Sequence, residues 1–193
     1  MKIGVLALQG DFAEHIAVLR RLGVETSEVR LPEQLADLDG LIIPGGESTT
    51  IGKLAVDFNL MEPLIDFGER KPIWGTCAGA IFLSKDAQRP QPLLGLMDIV
   101  VERNAFGRQV ESFEADFAVP VLDKVSADNP PFHAVFIRAP LIEKVSGEAQ
   151  PIAQLDDGRI VAAQQGHLLA TAFHPELTED DRFHRYFLDM VKT

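Results

Sequence analysis

The single cysteine of the chain lies in a segment whose composition favours chemistry over core packing. Cys77 stands within Gly75-Thr76-Cys77-Ala78-Gly79, which follows an apolar stretch and precedes the apolar residues 80–83. This Gly-x-Cys-x-Gly pattern is a version of the nucleophile elbow, in which small residues permit a strained strand-to-helix turn that exposes the central side chain. A lone cysteine is more often a small core residue, but glycines at both flanking positions are an unusual choice for core filling. We therefore predict that Cys77 is a nucleophile.

A thiol nucleophile needs a base, and the base needs a carboxylate to orient it. His174-Pro175-Glu176 offers both groups directly after the apolar run 168–173, at a predicted strand end where α/β sheets present functional side chains. The tripeptide alone is a weak signal that is common in surface turns. Its combination with the cysteine elbow predicts a triad of Cys77, His174 and Glu176, in a chain order that differs from that of other triads.

A third loop, Pro44-Gly45-Gly46-Glu47-Ser48, follows the apolar run 38–43. Two glycines let backbone N–H groups turn towards a neighbouring site. We expect Gly45, Gly46 and the amide of Ala78 to supply donors for an oxyanion. A plain β-turn is the alternative, but three special loops at one sheet edge favour the oxyanion site.

The elements that must position these loops alternate between strands and helices in the first half of the chain. The continuous apolar run 3–8 is typical of a parallel strand buried on both faces. Asp11 with Glu14 could cap the helix that follows it. Further strands are predicted over 24–31, 38–43 and 73–74, and helices over 59–69 and 80–83. The alternation predicts a parallel sheet with helices on both faces.

The second half of the chain is richer in short strands. They are predicted over 96–102, 112–119, 134–138, 151–155, 160–164 and 168–173, with a hairpin turn at Asp157-Gly158. These strands predict an antiparallel extension at the edge of the parallel sheet. A capping box of Thr178 with Asp181 is expected to begin a closing helix, whose buried stripe comprises Phe183, Tyr186, Phe187 and Met190.

Length, charge and composition limit the possible functions. The 193 residues fit one domain, 1–193. Eighteen Lys and Arg against 29 Asp and Glu give a net charge of −11, which repels phosphate backbones and anionic lipid surfaces, so neither nucleic acid nor membrane is expected as a partner. One cysteine cannot form an internal disulfide, which fits a reducing compartment, and we expect a cytoplasmic protein. Without the common metal-binding or dinucleotide motifs, no metal site is expected.

The other four histidines carry weaker signals. His15 is placed on the polar side of the first predicted helix, His133 follows two prolines, His167 lies in a turn, and His184 is on the last helix. We expect solvated or structural roles for all four.

The three loops together resemble class I glutamine amidotransferase domains, whose cysteine, histidine and glutamate hydrolyse the side-chain amide of glutamine. Nearly the whole chain is similar to one branch of that family, the glutaminase subunits of pyridoxal 5′-phosphate synthases. The triad segments occur in many amidotransferases. Two more specific segments are Glu-Arg-Asn-Ala-Phe-Gly-Arg-Gln at 102–109 and Phe-Ile-Arg-Ala-Pro at 136–140; weaker support comes from 8–10, 44–50, 112–116 and 173–178. Ala105, where the family often has serine, is a conservative departure.

The resemblance implies a flavodoxin-like class I amidotransferase fold with a central, mostly parallel sheet. It implies that Cys77 is the nucleophile, that His174 is base and acid, and that Glu176 orients His174. It also implies a set of contacts to L-glutamine: Gly46, Glu47, Ser48, Arg103, Ile137 and Arg138. No cofactor is implied, and the ammonia would pass to a separate synthase subunit in a hetero-oligomeric complex.

Several alternatives stay open. Arg103 and Arg138 could merely pair with surface acids of this acidic chain. The chain could be a glutaminase subunit of another pathway, such as the one that makes imidazole glycerol phosphate, although the two arginine segments argue against it. A noncatalytic regulatory subunit, or a cysteine protease or deglycase of similar topology, are the alternatives from other classes.

Overall fold

A ten-stranded sheet forms the centre of the computed structural model, which describes residues 1–103 and 112–193. Within those ranges the strands are β1 (Lys2–Leu6), β2 (Glu25–Val29), β3 (Gly40–Ile43), β4 (Ile73–Thr76), β5 (Ser84–Asp86), β6 (Met97–Glu102), β7 (Ser112–Phe117), β8 (Phe132–Ile137), β9 (Leu141–Val145), β10 (Gln150–Gln154), β11 (Ile160–Gln165) and β12 (Leu168–Thr171). The helices are α1 (Phe12–Arg21), α2 (Ser48–Asp57), α3 (Met61–Gly68), α4 (Ala78–Leu83) and α5 (Arg182–Lys192).

The strand order confirms the predicted fold class. The sheet runs β2-β1-β3-β4-β12-β11-β9-β6-β5, with β10 paired to β11. Its first five strands are parallel neighbours, in the 2-1-3-4-5 order of flavodoxin-like sheets. The strands β11, β9 and β6 continue the sheet antiparallel. The strands β7 and β8 form a separate two-stranded sheet instead of joining this extension.

Alternating side chains give the sheet two apolar faces. Along β3, Leu41 and Ile43 point to the core that packs α2, α3 and α4, whereas Ile42 points to the core that packs α1 and α5. The side-chain period of two in a strand produces this division. Both faces of the central strands are therefore buried. Polar side chains can form an accessible site only in the loops at the strand ends.

Several local predictions were wrong. The helix α2 was missed because its sequence includes Thr49, Thr50 and Gly52, which are weak helix formers. The strands β5 and β9 were also missed. Neither Asp11 nor Asp181, the residues that precede α1 and α5, makes a side-chain cap hydrogen bond. The Asp157-Gly158 hairpin is confirmed, since it joins the antiparallel pair β10 and β11.

Among the helices of the described ranges, none is both long and apolar enough to cross a bilayer.

Candidate active site

Four parallel neighbours of the sheet, β1, β3, β4 and β12, end at one edge, and the loops that follow them meet there. They enclose a cavity of about 370 Å³, a size typical of small-molecule sites. Cys77, Ala78 and His174 line it, and so do all six predicted glutamine contacts: Gly46, Glu47, Ser48, Arg103, Ile137 and Arg138. The fold therefore brings the predicted residues of five separate segments together in one cavity.

Cys77 occupies a strained turn between β4 and α4. Its backbone has φ 48° and ψ −105°, in the left-handed region that a non-glycine residue rarely adopts. The N–H of Cys77 donates to the carbonyl of Thr171 on β12 at 2.8 Å, which ties the turn to the neighbouring strand. The residue is only 7% exposed. The elbow geometry predicted from the Gly-x-Cys-x-Gly pattern is present.

Gly79 explains why small residues flank this cysteine. A Cβ atom at Gly79 would lie 2.0 Å from the carbonyl oxygen of Ile43, at the end of β3. No side chain can occupy that space, so the start of α4 approaches the neighbouring loop only with glycine there. The glycine thus serves the tight packing of the elbow, as expected for a turn that presents its central side chain at the sheet edge.

His174 lies between the thiol and a buried carboxylate. Its Nδ1 is 2.7 Å from Oε1 of Glu176, whose side chain has no solvent exposure. The backbone N–H of His174 donates to the carbonyl of Val135 at 2.9 Å. Burial by itself would lower the pKa of His174, but the interactions with Cys77 and Glu176 raise it to about 10. This imidazole readily holds a proton beside the thiol, which is what a base for Cys77 must do.

A second carboxylate, Asp11, approaches the same imidazole. Its Oδ2 is 3.5 Å from Nδ1 of His174, and burial raises the pKa of Asp11. Burial also raises the pKa of Glu176, whereas the hydrogen bond from His174 opposes that rise. Within the described ranges, Asp11, His174 and Glu176 form one cluster close enough to enclose a cation. The Nδ1 atom is engaged by Glu176, so we interpret the cluster as an acid–base pair with a nearby carboxylate, not as a metal centre.

The glycine loop after β3 packs directly on this imidazole. A Cβ atom at Gly45 would lie 2.5 Å from Cε1 of His174. The carbonyl of Gly45 accepts the N–H of Asp11 at 3.0 Å, and the N–H of Glu47 donates to Oε1 of Gln9 at 2.7 Å. The first of these hydrogen bonds fixes the orientation of the Gly45–Gly46 peptide, whose N–H was predicted to face an oxyanion, and the second ties the next peptide to the loop after β1.

Glu47 and Arg103 form an ion pair within the cavity, with Nη2 and Oε1 2.8 Å apart. The Glu47 carboxylate also accepts the backbone N–H groups of Thr49 and Thr50 and so caps α2. Burial would raise the pKa of Glu47, but hydrogen bonds from the two threonines lower it to about 2. Arg103 thus pairs with an acid that itself lines the site. Arg138, which also lines the cavity, has a positive φ of 42°.

Comparisons with known proteins agree with this geometry. The family model described as the SNO glutamine amidotransferase family matches residues 5–193. The chain belongs to the SNO glutamine amidotransferase family. A relative from Herpetosiphon aurantiacus, named pyridoxal 5′-phosphate synthase subunit PdxT, is 61% identical over 195 residues, covering 98% of this chain and all of that protein.

Other members of the amidotransferase family are similarly close. The subunit of the same name from Pelotomaculum thermopropionicum is 59% identical over 191 residues and covers 98% of this chain and 94% of its own length. A solved structure described as a glutamine amidotransferase superposes with a TM-score of 0.91 at 49% identity and covers 99% of both chains.

The sequence prediction missed part of this amidotransferase site. His15 is fully buried, not on a solvated helix face, and so is His184. His15 lies 3.3 Å from Glu176, and Thr76, next to Cys77, lies 3.2 Å from His15. The Gln9 contact was also not predicted. The segment Asn104-Ala105-Phe106-Gly107-Arg108-Gln109, which carried much of the family resemblance, lies outside the described residues.

Proposed function

We propose that this chain is the glutaminase subunit of a pyridoxal 5′-phosphate synthase and hydrolyses L-glutamine to L-glutamate and ammonia. The observation that carries the proposal is the meeting of Cys77 with the His174–Glu176 pair in a cavity that also holds the Glu47–Arg103 pair. The family match over residues 5–193 supports a single glutaminase domain over the whole chain, 1–193. The high identity to subunits named for pyridoxal 5′-phosphate synthase favours that pathway over other amidotransferase pathways.

The proposed reaction uses the triad in two steps. His174 takes the thiol proton, and the sulfur of Cys77 attacks the amide carbon of glutamine. Backbone N–H groups of the Gly45-Gly46 loop and of Ala78 hold the oxyanion, and His174 then donates its proton to the departing ammonia. Water attacks the resulting thioester while His174 accepts a proton, and glutamate leaves with the thiol restored. Glu176 keeps Nδ1 of His174 protonated, so that Nε2 faces the thiol.

The charged pair explains how free glutamine would be recognised. Free glutamine carries an α-ammonium and an α-carboxylate, which a carboxylate and a guanidinium can meet with charge-assisted hydrogen bonds. Glu47 is ionised down to low pH, since its pKa is about 2, and Arg103 lies beside it. Arg138 faces the same cavity. The two ends of the amino acid would therefore be held while its side-chain amide extends to Cys77.

Replacing Arg103 or Arg138 with alanine is expected to weaken glutamine binding by about 1.5–3 kcal/mol, the value of a lost charged hydrogen bond. The thermal unfolding midpoint should change little, because ion pairs near the surface contribute little to stability. Binding would be measured by calorimetry on the inactive Cys77→Ala background. Arg185→Ala is the matched control, since Arg185 pairs with Asp181 outside the cavity. Unaltered glutamine affinity in both cavity variants would show that Arg103 and Arg138 do not bind glutamine and would favour the alternative that they only pair with surface acids.

We further propose that the chain works in the cytoplasm, in a hetero-oligomer with the synthase subunit, and that the partner activates it. An unpartnered glutaminase would release ammonia to solvent. The Gly45–Gly46 peptide is the proposed gate: its carbonyl accepts the Asp11 N–H, so turning the peptide over costs that hydrogen bond. Binding of the synthase subunit would offset this cost by favouring one orientation.

The purified chain alone is therefore expected to be a poor glutaminase, and addition of the synthase subunit should raise kcat by about 10²–10³-fold, the typical effect of completing an oxyanion hole. Ammonia release would be followed with and without the partner. Full activity of the chain alone would contradict the gate but not the triad. Failure of both preparations to release ammonia, and of a glutamine-analogue alkylator to label Cys77, would support a noncatalytic subunit.

A further inference from the structure

A buried polar cluster lies behind the triad, on the side of Glu176 that faces away from His174. It consists of His15 on α1, His184 on α5 and Thr76 at the end of β4, all with 0% exposure. Nε2 of His15 is 3.3 Å from Oε2 of Glu176 and 3.2 Å from Oγ1 of Thr76. Nδ1 of His15 is 3.0 Å from Nε2 of His184. The two histidines thus connect the C-terminal helix to the triad carboxylate.

Burial against an aromatic side chain keeps both imidazoles of this cluster uncharged. Trp74 packs edge-on against the imidazoles of both His15 and His184, with ring centroids 5.6 and 4.9 Å away. Burial lowers the pKa of His15 well below its usual value and that of His184 to about 3. Both imidazoles are therefore neutral at physiological pH, and each carries one proton on one of its two nitrogens.

The positions of those two protons follow from the contacts. A proton on Nδ1 of His15 would leave an Nε2 lone pair that the Thr76 hydroxyl could meet, but the same lone pair would face the carboxylate oxygen of Glu176, which is repulsive. It would also require the proton of His184 to sit on Nδ1, a buried atom without a hydrogen-bond partner among the described residues. A buried N–H without an acceptor is costly. The favoured arrangement places protons on Nε2 of both histidines, so that His184 donates to His15 and His15 faces Glu176 as a donor.

We propose that His15 is a positioning residue of the triad: its Nε2–H, fixed as a donor by His184, holds the second oxygen of Glu176. The proposal rests on the proposed glutaminase function. Oε1 of Glu176 is taken by His174, whereas Oε2 is buried with no hydrogen bond of good geometry in the described part of the chain. The Nε2–H of His15, 3.3 Å from Oε2 and shared with Oγ1 of Thr76 at 3.2 Å, is the nearby donor for it.

This contact addresses a specific problem of the site. Burial favours the neutral form of Glu176, yet only the ionised carboxylate stabilises the protonated His174 that forms during the reaction. A donor on Oε2 favours the ionised form and limits rotation of the carboxylate. The other ionisable groups near this pair are Asp11 and Cys77 beside His174 and, beyond His184, Arg21. Within this set, His15 alone contacts Oε2 as a neutral donor.

Two amide substitutions at His15 separate positioning from packing. The amide nitrogen of His15→Gln can occupy the place of Nε2, whereas that of His15→Asn reaches only the place of Nδ1. We expect His15→Asn to lower kcat by about 10- to 100-fold, as for a lost hydrogen bond to a charged group, with KM within about twofold of wild type. His15→Gln should retain kcat within about threefold. Equal losses in both variants, or wild-type turnover in His15→Asn, would overturn the proposal.

A direct titration tests the same contact without relying on turnover. The carboxyl carbon of Glu176, followed by ¹³C NMR against pH, should report a higher pKa in His15→Asn than in wild type, because a donor to the anion is lost. A purely structural role of His15 would leave that pKa unchanged. Assays with the synthase subunit keep the two questions apart: an inactive wild-type complex would contradict the proposed function, while the Glu176 titration would still decide the role of His15.

The wild-type protein provides a measurement for the case in which the variants do not fold. Imidazole ¹⁵N shifts distinguish the two neutral tautomers of a histidine. We expect His15 and His184 both to carry the proton on Nε2 at neutral pH. A proton on Nδ1 of His15 would remove the donor to Glu176 and overturn the inference.

Discussion

Replacing Cys77 with serine is expected to abolish glutamine hydrolysis, with a loss in kcat of at least about 10³-fold, while the fold and the binding of the synthase subunit are kept. The thiolate is the attacking species, and a serine hydroxyl at this position is far harder to deprotonate. The substitution changes one atom in a site that is 7% exposed, so packing around the elbow should survive. Ammonia release from the complex with the synthase subunit would measure the loss.

The chain offers a clean control for this experiment, because Cys77 is its only cysteine. A glutamine-analogue alkylator should add one label to wild type and none to Cys77→Ser, as read by intact mass. Cys77→Ala should match Cys77→Ser in lost turnover. If instead either variant is partly unfolded and its folded molecules keep the wild-type turnover number, Cys77 would be a core residue and not the nucleophile.

The site was predictable where local constraints act within a few residues. The Gly75–Gly79 elbow is visible in the sequence because a Cβ atom at Gly75 would lie 2.5 Å from the carbonyl group of Gly79, four residues further on. The His174-Pro175-Glu176 signal is similarly local, since its hydrogen bond joins residues two apart. Each loop follows a strongly apolar strand, so its position at the sheet edge follows from the parallel arrangement.

The parts that were missed depend on packing between distant elements. His15 was assigned to the polar face of α1 because an isolated amphipathic helix exposes one side. In the fold, α5 brings His184 to that side, 169 residues further along the chain, and buries both. Apolar periodicity cannot reveal this contact, because the partner of a helix face is not encoded in its spacing.

At Asp11, a local sequence pattern predicted a contact that the fold does not contain. The Asp11-Phe12-Ala13-Glu14 pattern predicted a capping box, yet the Asp11 side chain makes no cap hydrogen bond and lies 3.5 Å from Nδ1 of His174. Glu47, which sequence rules did not select as a cap, accepts two N–H groups of α2 instead. At Asp11 alone, the contact with His174 takes the place of a side-chain cap.

Replacing Glu176 with glutamine should lower kcat by about 10²–10⁴-fold and change KM little, since it alters the orientation and charge of His174 but no glutamine contact. The carboxylate has two oxygens, and each faces an imidazole nitrogen: Nδ1 of His174 at 2.7 Å and Nε2 of His15 at 3.3 Å. An amide has one oxygen, so its NH₂ group must face one of these nitrogens. If it faces His174, the imidazole is driven to the tautomer with the proton on Nε2, which cannot accept the thiol proton.

The thermal unfolding midpoint distinguishes this loss of turnover from a loss of the folded state. Burial raises the pKa of Glu176, so folding disfavours its ionised form; this offsets the loss of the pairing with His174, and the thermal unfolding midpoint should change little in Glu176→Gln. Glu179→Gln is the matched control, because the Glu179 side chain is 98% exposed three residues further on. Steady-state kinetics of both variants with the synthase subunit would measure the contrast. An unchanged turnover number in Glu176→Gln would remove Glu176 from the triad and leave Asp11, 3.5 Å from His174, as the carboxylate that orients the base.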